Sequence, residues 1–161
     1  MESLLLTAAA WLDAVGIGGW ARGSALVYPL VTTRHLLGLV MLVGGIGVVD
    51  LRVAGLWRAL PIAPLSRALT PVAIVGLFVM VASGIVLFAA DGRALTASDI
   101  FHRKLVLITL ALANAVAFRW MWGDRIGGWS RAVPVAARLM AVLSISLWLA
   151  AGALGRWIAY G

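Results

Sequence analysis

Residues 28–55, YPLVTTRHLLGLVMLVGGIGVVDLRVAG, place a histidine inside an apolar run that Asp50-Leu51-Arg52 closes. Fourteen uncharged residues separate His35 from Asp50. A tyrosine and a proline at one end and a charged cluster at the other are the usual borders of a bilayer-spanning helix. An ionisable ring at that depth is costly unless it has a task, so the histidine becomes the first candidate for function.

Three further apolar runs follow, and composition says what they are for. The 161 residues are 63% hydrophobic and 12% charged, with a mean hydropathy of +1.06. A soluble domain of this length cannot hide so much apolar surface. The expectation is an all-α polytopic membrane protein, an up-down bundle of four spanning helices over residues 28–53, 71–90, 100–122 and 134–157. Pro71 is expected to open the second helix and Asp91-Gly92 to end it. Residues 96–99 offer caps for the third. Pro134 precedes the fourth, which Trp157 and Tyr160 anchor. Residues 1–23 lack a basic start. Leu4, Leu5, Ala8, Trp11, Leu12 and Val15 share one helical face, which predicts a short interfacial helix ended by glycines 16, 18 and 19. The chain is one membrane domain.

With no cysteine, disulfides, thiolate metal sites and covalently attached haem are excluded. The net charge of +7 comes from arginines between apolar runs, which marks topology and headgroup contact and not a nucleic-acid surface. Seven basic residues, Arg131 among them, border the first and third loops, against six on the other side. Three of those six, Arg34, Arg103 and Lys104, adjoin histidines. Setting them aside places both termini away from the cytoplasm, in a bacterial inner membrane.

The chain has two histidines, each near the start of an odd-numbered helix. Such helices run the same way in an alternating bundle, so His35 and His102 share a membrane face. His35 lies roughly 9 Å into its helix and His102 roughly 4 Å, a difference that tilt absorbs. Two neutral imidazoles could then bracket one iron, with the metal-bound nitrogens about 4 Å apart. One haem b held by His35 and His102 needs cations for its propionates, which Arg34, Arg103 and Lys104 supply, and close access to a backbone, which Gly38 allows. Filling both axial positions favours electron transfer. The plainer alternatives are hydrogen bonding or headgroup contact by the histidines and helix packing by the glycines. Zinc lacks further ligands apart from Asp91 and Asp99. Asp50 and Arg119 fall at similar heights and are expected to pair. Asn114, Thr109, Ser83, Ser144 and Ser146 are expected to bond between helices.

The pattern of Tyr28, Pro29, His35, Gly38, Leu42, Val43, Gly44, Asp50, Leu51, Arg52 and Gly55 resembles a widespread bacterial family of small four-helix membrane proteins known only as a domain of unknown function. The likeness continues through Leu60-Pro61, residues 83–90, Phe101, Lys104 and Asn114-Ala115. It implies the four-helix fold and a distant relation to b-type cytochromes and copper-resistance D-like membrane proteins. Family members often carry another histidine where this chain has Arg119, so the resemblance implies no second haem here.

The function expected is a b-type cytochrome-like electron carrier, exchanging electrons with quinone or a periplasmic redox protein. It has no acid-base pair or activated nucleophile to make it an enzyme alone. A copper or small-solute permease and a haem-free scaffold subunit of a larger complex are the alternatives.

Overall fold

The computed structural model describes residues 2–129 and 133–158; Arg131 and Tyr160 lie outside them. Six α-helices follow one another: α1 (Glu2–Ala14), α2 (Ile17–Arg22), α3 (Val27–Ala54), α4 (Ile62–Thr96), α5 (Asp99–Trp122) and α6 (Val135–Trp157), with a 3-10 turn at Ile126–Gly128. Helices α3 to α6 are each long and apolar enough to cross a membrane, so the chain is an all-α bundle of the multi-pass membrane type.

Two boundaries differ from expectation. Helix α4 starts at Ile62 and keeps Pro71 inside it. The extra turns are held by the core, since Ile62, Leu65 and Leu69 pack with Val49, Val53 and Trp129, and packing outweighs a lost N–H. At its other end α4 runs on to Thr96 across a kink at Asp91 (φ −121°, ψ 20°). The turn signal is therefore a bend and not a stop. Arg22 explains how the bend is tolerated. Its guanidinium donates to the Ala89 and Ala90 carbonyls at 3.3 and 2.9 Å, groups that a kinked helix leaves short of partners. It also pairs with Asp13. Among the described residues this is the sole ion pair.

The N-terminal segment is two helices. Gly16, at φ 84°, breaks it in the left-handed region. Gly18 in α2 then approaches α4 so closely that a Cβ there would lie 2.6 Å from the Ala89 carbonyl. Ala9 and Leu12 turn inward, while Leu4 and Trp11 of the expected apolar face are 75% and 62% exposed.

Contacts along α3 and α4 run in opposite order: Tyr28 with Asp91, His35 with Ser83, Gly38 with Gly76 and Met80, Gly45 with Ala73. The two helices are antiparallel throughout. Their closeness comes from glycine, since a Cβ at Gly76 would lie 2.6 Å from the Leu42 nitrogen and one at Gly38 would lie 2.8 Å from Met80 Cγ. Helix α6 lies against both α3 and α5. Leu39 meets Gly152, Lys104 meets Gly155, and Asn114 Nδ2 donates to the Met140 carbonyl at 3.0 Å. Both pairings are antiparallel, so α3 and α5 point the same way. The lateral order is α4, α3, α6, α5. Although α4 and α5 are joined by two residues, and Phe88 stacks on Phe101 at 5.7 Å, they touch little along their lengths. An open side results.

Candidate functional site

His35 projects from α3 into the bundle. Its Nδ1 lies 3.0 Å from Ser83 Oγ on α4, and that hydroxyl donates to the Val79 carbonyl at 2.5 Å. With its hydroxyl hydrogen directed at that carbonyl, Ser83 is an acceptor for the ring, which suits the tautomer with Nδ1 protonated and the lone pair on Nε2. Gly84 lies beside the ring, where a Cβ would sit 3.4 Å from His35 Cε1, in ordinary van der Waals contact. Ser83 is buried, so the pair is part of the interior.

His102 stands at nearly the same height. Lys104 is level with Gly155, and Leu39 with nearby Gly152, so the start of α5 lies beside the His35 turn of α3. The common membrane face that chain direction implies is present. Azimuth is a separate matter. Lys104 faces inward, touching α6 at Gly155 and lying within electrostatic reach of His35. Two helical residues are about 200° of rotation, so His102 leaves the α5 backbone on a different side from Lys104, yet it is half-buried as Lys104 is. Its Nε2 is buried, with no hydrogen-bond partner. The residue that α5 brings toward His35 is Lys104.

The other expected site residues divide similarly. Arg34 and Arg103 are exposed at the same end. The space over Gly38 is filled by Met80 and Gly76, so that glycine serves helix crossing and leaves no room for a flat ring. Among the described residues no three histidine, aspartate or glutamate side chains gather as a metal cluster. Asp91 accepts from Tyr28 at 2.9 Å.

Asp50 and Arg119 do not pair. Asp50 is 5% exposed, Ser144 on α6 reaches its carboxyl, and Oδ2 has no partner. Arg119 stays apart because α5 belongs to the far side of α6. Of the hydroxyl residues, Ser83 and Ser144 bond across helices, whereas Thr109 and Ser146 donate to carbonyls of their own helix.

Arg52 has a role that composition did not suggest. Buried, it donates to the Leu60 carbonyl at 2.7 Å and the Arg58 carbonyl at 3.0 Å, gathering the loop that Gly55 (φ 120°) begins. The D-L-R-x-x-G signature is thus a loop clamp at Arg52 and Gly55. The spacing from Arg52 to a glycine was the available signal.

The chain matches no family profile, no curated protein and no solved structure.

Proposed function

We propose that the protein is a membrane-embedded electron carrier of the b-type cytochrome kind, with one haem b near the starts of α3 and α5. The observation that carries this is His35, a half-buried imidazole whose Nδ1 lies 3.0 Å from Ser83 Oγ; with Nδ1 as the donor, Nε2 keeps its lone pair for a metal. That is the orientation second-shell hydrogen bonding imposes on ligating histidines. His102 supports it by its height and by a buried Nε2 in want of a partner. Ligation by both rings requires the His102 ring to turn toward His35. Lys104 and Arg103 then supply charge for the propionates, and bound haem would supply one-electron chemistry. The arginine distribution supports an inner-membrane protein with periplasmic termini, and quinone or a periplasmic redox protein is the exchange partner. The resemblance of residues 28–55 to the four-helix family supports the same placement.

Visible spectra of the purified protein test this. Wild type is expected to show a Soret band and a split reduced-minus-oxidised band. His35→Ala should lose the Soret band, and His102→Ala should convert a six-coordinate spectrum to a five-coordinate one. A colourless protein that takes up no added haemin, or a Soret band unchanged in both variants, overturns the assignment.

A second reading follows from Lys104. An inward lysine near a histidine and a serine suits a small anionic solute, as in a permease. It predicts uptake by vesicles that Lys104→Met abolishes and that leaves the protein without visible absorbance.

A further inference from the structure

The gap between α4 and α5 is a cleft of about 1320 Å³ in the half of the bundle away from the histidines. On α4 it extends from Ala63 to Leu77, fourteen residues or about 21 Å. That is about half of the roughly 40–45 Å bilayer with its headgroup regions, the depth of one leaflet. Its deep walls are apolar, with Leu42, Leu77 and Trp148 among them, and its outer end is charged. Arg67 and Arg119 stand there, neither in an ion pair, and Asp124 lies at the same end. Asp50 borders the cleft with 5% exposure and an unpartnered Oδ2. A buried carboxylate oxygen without a donor is costly, and a charged donor is the strongest remedy.

We infer that this cleft binds a membrane phospholipid with a primary-amine headgroup of the ethanolamine type. Its phosphate is held by Arg67 and Arg119, its ammonium donates to Asp50, and an acyl chain lies along the apolar wall. The charge order decides the class. Two cations suit a phosphate, and the single inward carboxylate suits a cation with N–H groups. A choline head has no N–H to donate, and a glycerol head has no positive charge. The inference is independent of the haem assignment, because the cleft contains neither histidine.

Native mass spectrometry of the full chain, delipidated in detergent and offered phosphatidylethanolamine, phosphatidylcholine or phosphatidylglycerol with the same acyl chains, reads the selectivity. Wild type should bind the ethanolamine lipid about tenfold more tightly than the choline lipid, equivalent to about 1.4 kcal/mol. Asp50→Asn should bring that ratio to about one while circular dichroism stays unchanged. Arg67→Gln with Arg119→Gln should weaken both lipids. The wild-type comparison needs no variant, so misfolding of a mutant cannot decide the matter. Equal binding of ethanolamine and choline lipids, preference for the glycerol lipid, a selectivity that survives Asp50→Asn, or a dimer that closes the cleft and takes no lipid would each overturn the inference.

Discussion

His35 Nδ1 and Ser83 Oγ lie 3.0 Å apart across the α3–α4 contact, and the Ser83 hydroxyl donates a hydrogen bond to the Val79 carbonyl. The chain of bonds fixes which ring nitrogen is free. Ser83→Ala should therefore cost about 1–3 kcal/mol, because it strands a buried ring nitrogen. Denaturant unfolding in detergent measures that loss. If haem is bound, the same variant should keep the Soret band and shift the midpoint potential. His35→Ala should remove the band.

The α3–α4 crossing depends on absent side chains. A Cβ at Gly76 would sit 2.6 Å from the Leu42 nitrogen and 2.7 Å from the Gly38 carbonyl, whereas Gly44 and Gly47 have nothing within 4 Å. Gly76→Leu should destabilise by about 1–3 kcal/mol or prevent insertion of a folded bundle. Gly44→Ala should leave stability unchanged or raise it by about 0.5–1 kcal/mol through helix propensity. Thermal unfolding of the two variants side by side distinguishes a crossing site from an open face.

Arg22 joins the N-terminal helices to the kink of α4. Its ion pair with Asp13 is about half exposed on both sides, so Asp13→Asn should cost less than about 1 kcal/mol. Arg22→Ala also strips the Ala89 and Ala90 carbonyls of a charged donor, and should cost about 1.5–3 kcal/mol. Hydrogen exchange should report faster exchange through α1 and α2 in Arg22→Ala and little change in Asp13→Asn.

Asn114 is the polar tie between α5 and α6, donating to the Met140 carbonyl at 3.0 Å. Asn114→Leu should lower stability by about 0.6–1.7 kcal/mol, the range for such bonds within membranes. Because α5 buries Ala111 alone, its release should precede that of the α3–α4 pair. Limited proteolysis at the loop before α6 should show it.

Much was decided by sequence alone. Apolar runs of spanning length, bordered by Tyr28, Asp50, Arg119 and Trp157, fix four helices because lipid admits only segments that satisfy their own backbone. Alternation of direction then sets His35 and His102 at one membrane face. Whether two residues face each other was beyond that reasoning. Height follows from counting along a chain, but azimuth depends on which stripe of each helix is buried, and the weakly amphipathic α5 gives little sign of it. Tertiary packing turned Lys104 toward α6 and His35, left the His102 Nε2 buried without a partner, filled the space over Gly38 with α4, and kept Asp50 from Arg119. It also opened the cleft, because α4 and α5, though consecutive, found better surfaces on α3 and α6. In a membrane apolar faces are nearly equivalent, so close packing between small residues chooses the neighbours.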